Sequence, residues 1–298
     1  MWFKNLIIYR LPELWPDDKT KLQAALDGAP FAPCTGLDWF SEGFAAPMPF
    51  APDLVFAAGR SQRVALKRED KVLPGAVVRD LLAEKVAAIE AAEARNVGRK
   101  EKQELKGQII DDLLPRAFTK SRRTEALFDT RSGYLMINEA SAPRAERMLT
   151  KLREALGGLQ TAMPHTLKPP TYLMTEWLLQ GRAEGGFKLG YSALLKGVGD
   201  VPDKIKIINK HLDDAEVVQH VKNGMRVVEL ELDWREQISF TLTQDFALKR
   251  IVFLDRVQEQ AEQGDDAASL ATASQILMTA ALGDMLDEFY HLLSGWVD

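Results

Sequence analysis

The chain contains one cysteine, four histidines and no long apolar run in 298 residues. A single cysteine, Cys34, excludes an intrachain disulfide and suits a reducing compartment, where it reads as a buried core thiol. His165, His211, His220 and His291 are far apart and lack the i, i+4 or cysteine-partnered spacing that a zinc site needs. No stretch reaches the roughly 18 apolar residues of a membrane span. The start, Met-Trp-Phe-Lys-Asn-Leu-Ile-Ile-Tyr-Arg, has no apolar core followed by a small-residue cleavage site. Gly185-Gly186 and Gly197-Val198-Gly199 lack the spacing of a phosphate loop or a dinucleotide fingerprint, and no Gly-x-Ser-x-Gly elbow occurs. The expectation is a soluble, cytoplasmic protein with no metal, cofactor or membrane partner.

An excess of cations is also missing. The net charge is −5, from 38 Lys plus Arg against 43 Asp plus Glu, so a polyanion would have to be met by a local patch. Residues 113–123, Leu-Leu-Pro-Arg-Ala-Phe-Thr-Lys-Ser-Arg-Arg, form such a patch, with Arg116, Lys120, Arg122 and Arg123 and no acid. Pro115 ends the preceding helix, because it has no amide hydrogen and disfavours helical geometry in the residue before it. Two readings fit this spacing: a solvated basic turn with Phe118 as a core anchor, and an exposed segment that offers the ring to a partner. A second run, Lys204-Ile205-Lys206-Ile207-Ile208-Asn209-Lys210, would if extended put Lys204, Lys206 and Lys210 on one face. That row suits a phosphate backbone, and equally an edge strand guarded by lysines against self-pairing.

With 46% hydrophobic residues the chain can bury a core, and its length favours two or three subdomains. Residues 2–10 read as a buried strand, and Asp17 or Asp18 caps a short helix through Leu22 and Leu26 that Gly28 stops. Residues 31–50, with prolines at 30, 33, 47 and 49, read as a packed loop carrying Trp39, Phe40 and Phe44. Strands follow at 54–58 and 63–67, with 68–71 as the next turn. From Val77 the period becomes helical, breaks at Asn96-Val97-Gly98, and resumes from about Lys100 to Leu113, which predicts a protruding helical hairpin. Residues 126–129 and 134–138 read as a strand hairpin, 142–156 as an amphipathic helix ended by Gly157, and 159–171 as a linker. Beyond it lie a helix at 174–179, a glycine-rich stretch through Gly199 and a helix near 213–224. Strands at 225–234, 236–243 and 248–254 and a helix from about 267 to 293 complete the chain. The fold class is α+β with mixed antiparallel sheets.

One enzymatic pattern stands out. Pro52-Asp53 with Glu69-Asp70-Lys71 spells a metal-dependent nuclease site, in which two carboxylates hold Mg²⁺ and a lysine steadies the attacking water. That chemistry needs Glu69 and Lys71 on a strand, whereas a polar turn is expected there.

Several segments together resemble the RdgC family, the bacterial recombination-associated proteins. They are residues 1–11, Pro33-Cys34 with the loop that follows, Lys71-Val72-Leu73-Pro74, residues 113–118, Leu173-Met174-Thr175-Glu176-Trp177 and Leu230-Glu231-Leu232-Asp233-Trp234. The resemblance runs nearly end to end. It implies a ring-shaped homodimer, nucleoid-associated and without catalytic groups, that binds double-stranded and single-stranded DNA without sequence preference and restrains RecA-promoted recombination by occupying DNA. It implies three subdomains: a central region of residues 1–75 with 116–165, a helical fingertip of 76–115 and a base of 166–298. The family's gate phenylalanine falls on Phe118, and its polar base-side gate falls near Asn209 and Lys210, where the chain departs from the family's Lys-Lys-Gln spelling. Phe118 and Asn209 are then dimer contacts, and Arg116, Lys120, Arg122, Arg123, Lys204, Lys206 and Lys210 meet DNA. A Mg²⁺-dependent nuclease using Asp53, Glu69 and Lys71, and a protein-only scaffold, are the other functional classes open to these residues.

Overall fold

The computed structural model describes residues 2–13, 15–200, 202–262 and 264–296. In chain order the elements begin with β1 (Ile7–Arg10), α1 (Thr20–Leu26), β2 (Phe40–Ala45), β3 (Val55–Ala58), β4 (Ser61–Val72), α2 (Gly75–Glu93) and α3 (Arg99–Leu113). A 3-10 turn, Leu114–Arg116, leads to β5 (Phe118–Asp129), β6 (Tyr134–Ile137), α4 (Ala142–Leu156), α5 (Pro170–Gln180) and β7 (Phe187–Lys196). Then come β8 (Lys204–Ile207), α6 (Ala215–Lys222), β9 (Arg226–Trp234), β10 (Ile238–Thr243), β11 (Leu248–Phe253), α7 (Asp255–Ala261) and α8 (Ala267–Leu292). Mixed helices and antiparallel sheets make this an α+β protein, as the patterning predicts.

The chain forms two compact units. The first comprises Met1–Gly28, Ala46–Ala65 and Thr124–Asp298, and the second Ala29–Ala45 with Leu66–Arg123. The first holds most of the apolar core. Its five-stranded sheet has the order β11-β10-β9-β7-β8, so β8 is an edge. Trp177 of α5 and Phe289 of α8 pack on Phe187 of β7, with ring centroids 5.6 and 5.9 Å apart. Burial of such rings is the main favourable contribution to folding. Elsewhere in this unit β6 pairs with β1 and β5, in the register Ile7 to Ile137 and Asp129 to Tyr134. Helix α8 starts where the Asp266 carboxylate accepts from the Ser269 amide at 2.7 Å.

In the second unit β4 lies between β5 and β2, and α2 packs against α3. At about 1.5 Å rise per residue these helices are roughly 28 and 22 Å long, and only Val78, Val86 and Ile109 are buried along them. The turn between them is closed by Arg95, whose guanidinium donates to both oxygens of Glu101 at 2.7 Å and to Glu93 at 2.6 Å.

Several local expectations are corrected. The 31–50 segment contains strand β2, because its prolines flank residues 40–45 and do not interrupt them, and Gly43 lets the backbone approach: a Cβ there would lie 2.5 Å from the Pro30 carbonyl oxygen. Trp39 and Phe40 are exposed and only Phe44 is buried. The turn expected at 68–71 is the second half of β4, its Lys71 amide donating to the Trp39 carbonyl at 2.8 Å. The glycine-rich stretch contains β7, where Gly190 sits at a register shift because a Cβ would lie 2.6 Å from Glu231 Cγ. Strand β1 is shorter than residues 2–10, since Lys4 and Leu6 pair instead with Ile251 and Leu248. Cys34 is half-buried, not a core thiol. Its Sγ donates to the Glu69 carbonyl oxygen at 3.3 Å.

One buried charge tests this description of the first unit. Arg63 is 1% exposed, lies over the Phe3 ring at 5.0 Å and reaches the Glu125 carboxylate at 3.6 Å. Burial pulls its pKa down, and Glu125 opposes that. Glu125→Gln leaves this charge with weaker compensation and is expected to lower the unfolding free energy by about 2 kcal/mol, less than for a fully buried pair because Glu125 keeps contact with water. Adding Arg63→Met should recover most of that loss in urea titrations of the wild type, single and double variants.

Candidate nucleic-acid interface

The basic segment of the second unit is a strand for most of its length. Arg116 closes the 3-10 turn, where the Ala117 amide donates to the Leu114 carbonyl at 3.2 Å, and β5 starts at Phe118. Side chains alternate across a strand, so Phe118, Lys120 and Arg122 share one face while Thr119, Ser121 and Arg123 point to the other. All six are exposed, and Phe118 is 86% exposed. The core-anchor reading of Phe118 is therefore wrong, since a ring this open contributes little to the chain's own packing.

These cations differ in how far the chain already compensates them. Arg122 lies 3.7 Å from Asp70, which also takes a 2.7 Å contact from Arg68. Among the described residues no acid pairs with Arg116 or Lys120. On the other face Ser121 donates to Glu69 at 3.2 Å, and the amide of Cys34 donates to the same carboxylate at 3.1 Å. Lys71 reaches the Pro115 carbonyl at 3.4 Å.

Glu69 and Lys71 thus do lie on a strand, contrary to the expected turn. Asp53 belongs to the other unit and pairs with Lys19 at 2.8 Å. Among the described residues no group of three or more His, Cys, Asp or Glu is arranged to hold a metal ion.

In the first unit, Lys204 and Lys206 are exposed on one face of β8, as alternation predicts. Lys210 does not extend the row. The strand ends at Ile207, Asn209 takes a left-handed backbone at φ 53°, and Lys210 pairs with Glu216 and lies 4.0 Å from Asp214. Its ammonium is held above the usual lysine range, and Glu216 below the usual carboxylate range, by their mutual hydrogen bond.

Strand pairing adds two cations that sequence reasoning missed. Lys196 on β7 stands directly opposite Lys204 on β8 and, on its other side, opposite Arg226 on β9. Three like charges therefore cross three adjacent strands in one line. Among the described residues none of the three, nor Lys206, has an acidic partner. Lys196 and Lys204 line a cleft of about 320 Å³ together with Leu194, Glu229 and Lys249. Lys249 in that cleft is already paired with Glu229 at 2.9 Å. Directly opposed like charges on neighbouring strands destabilise a sheet. An anion laid across the row removes that penalty and gains charge-assisted hydrogen bonds. Lys196 went unnoticed because its strand was hidden among glycines; the apolar residues 189 and 193–195 were the available signal. Arg226 went unnoticed because a strand's register cannot be read before its partner is known.

Two measurements follow from these positions. Lys196→Gln should raise the stability of the free protein by about 0.5 kcal/mol by relieving the opposed charges, while weakening any polyanion binding. Phe118→Ala should leave the melting temperature nearly unchanged, whereas Phe44→Ala, which removes a buried ring, should lower it by many degrees.

Comparison with known proteins places these features in a family. A family model described as "Putative exonuclease, RdgC" matches residues 1–296. The recombination-associated protein RdgC of Neisseria meningitidis serogroup C / serotype 2a is 58% identical over 299 residues, covering all of both chains. Proteins of the same name from Laribacter hongkongensis and Pseudomonas fluorescens are 46% and 37% identical, over 99% of this chain in each case and over 99% and 98% of their own lengths. This chain belongs to the RdgC family of recombination-associated proteins.

Proposed function

We propose that the protein binds DNA through its phosphates, without sequence preference, and restrains RecA-promoted recombination by occupying the DNA. The observation that carries this reading is the uncompensated line Arg226, Lys196 and Lys204 with Lys206 beside it on β8; Arg116 and Lys120 are a separate exposed set in the second unit. Exposed cations that meet backbone phosphates position a nucleic acid but read no bases. Concentrating them locally reconciles a polyanion partner with a net charge of −5. Arg122, Arg123 and Lys210 complete the proposed contact set.

The same proposal takes the working form to be a ring-shaped homodimer around duplex DNA, built from a central region of residues 1–75 with 116–165, a fingertip of 76–115 and a base of 166–298. Phe118 and Asn209 are its proposed contacts between copies, and the nucleoid its proposed location. An 86% exposed aromatic ring is the residue type that a two-fold contact uses twice. No helix among the described residues is long and apolar enough to cross a membrane.

Titration of labelled duplex against salt tests the central claim. If about eight phosphates are neutralised per dimer, log K should fall against log salt with a slope of about −7, or about four orders of magnitude between 50 and 200 mM. A scrambled duplex should bind equally well. Salt-independent affinity, or preference for one sequence, would refute phosphate-dominated binding. Repeating the assay with Mg²⁺ distinguishes a nuclease, whose strand cleavage would be lost on Glu69→Ala. The ring is tested by Phe118→Ala, which should loosen retention on circular more than on linear duplex while the protein stays folded. Equal retention of both would remove Phe118 from the closure.

A further inference from the structure

At the far end of β8 from Lys204 the chain builds a second, different kind of site. Tyr191 is 54% exposed, and its ring meets that of the exposed His211 edge to face at 5.3 Å. The Lys210 amide donates to the Tyr191 carbonyl at 3.0 Å, which fixes the two segments against each other. Tyr191 and His211 line a cleft of about 290 Å³ together with Gly181, Arg182, Gly190 and Asp213. Gly190 keeps this end of β7 irregular, at the register shift where a Cβ would strike Glu231. Arg182 is exposed and has no acidic partner among the described residues.

The chemistry of this cleft is specific. An exposed aromatic pair packed edge to face gives a flat ring one stacking surface, an unpaired guanidinium offers a phosphate contact, and the Asp213 carboxylate is an acceptor for an exocyclic amino group. A duplex hides the faces of its bases by stacking, so it cannot use the rings. A single strand can splay a base out and stack it on an aromatic side chain while its backbone follows nearby cations. The exposed lysines Lys204 and Lys206 lie on the strand that leads to the cleft.

We propose that the cleft walled by Tyr191 and His211 takes one unpaired base of single-stranded DNA, with the adjoining phosphates carried along β8. This rests on the DNA-binding reading above and adds a contact that duplex cannot make. Asp213 further favours cytosine, adenine or guanine over thymine, because thymine presents no exocyclic amino group.

The test compares wild type, Tyr191→Ala and Tyr191→Phe on a single-stranded oligonucleotide and on the duplex of the same sequence at one salt concentration. Tyr191→Ala should weaken single-strand binding by roughly five- to a hundred-and-sixtyfold, the range for loss of one stacking platform. Tyr191→Phe should retain it, and duplex affinity should be the same for all three. An oligonucleotide carrying 2-aminopurine should lose fluorescence on binding wild type and Tyr191→Phe but not Tyr191→Ala, a readout that a general loss of stability would not mimic. Unchanged single-strand affinity in Tyr191→Ala would overturn the proposal, as would an equal fall for single strand and duplex. Wild type that bound neither DNA would instead overturn the DNA-binding reading itself.

Discussion

Two long strands, β4 and β5, impose the main constraint on this protein, because each changes character half-way along. Residues 61–66 of β4 are buried and residues 67–71 are half-exposed; residues 118–123 of β5 are exposed and 126–129 are buried. The division into compact units falls within one residue of these points, after Ala65 and after Arg123. Pairing of β4 with its neighbours β5 and β2 holds charged residues in extended geometry that their own side chains would not enforce. Isolated charged segments of this kind have no apolar face to bury and would stay disordered. The apolar halves bury side chains in the first unit, and the charged halves are extended by strand pairing within the second.

Compensation then sorts the cations. Arg122 with Asp70, Lys210 with Glu216 and Lys249 with Glu229 are drawn into ion pairs on the chain itself. Lys196, Lys204, Lys206, Arg226 and Lys120 are not, among the described residues. Exposed pairs contribute little to stability, so the value of this sorting lies in where positive potential remains. An acidic protein keeps its positive field in a few places because acids elsewhere neutralise only selected neighbours.

The sequence made the periodic elements legible and the aperiodic ones obscure. Helices α2, α3, α4 and α8 were readable because Val78, Val86, Ile109, Met148 and Leu152 recur at helical spacing and Gly157 marks an end. Strands β2 and β7 were not, because the prolines at 30, 33, 47 and 49 around β2 read as a loop, and Gly190 of β7 looks like a turn residue until the Glu231 that crowds it is known. The charged run from Lys67 to Lys71 mimicked a turn, since it has no apolar side to reveal a period of two. At the site, Lys204 and Lys206 were legible from alternation alone. Lys196 depends on a strand that the glycines concealed, and Arg226 on pairing with a residue thirty positions earlier, which no local pattern records.

The opposed line Arg226, Lys196 and Lys204 has a thermodynamic consequence for the whole chain. Its repulsion is present in the folded state, where the strands are clamped together, and largely absent from the unfolded chain, where the same residues are free to separate. A polyanion that spans the row therefore binds the native form in preference to the denatured one, and by linkage raises the native population as its concentration rises. A polyanion so bound would act as a conformational stabiliser of the five-stranded sheet as well as a ligand. The edge strand β8, paired on one side only, carries two of the lysines through which that stabilisation would act.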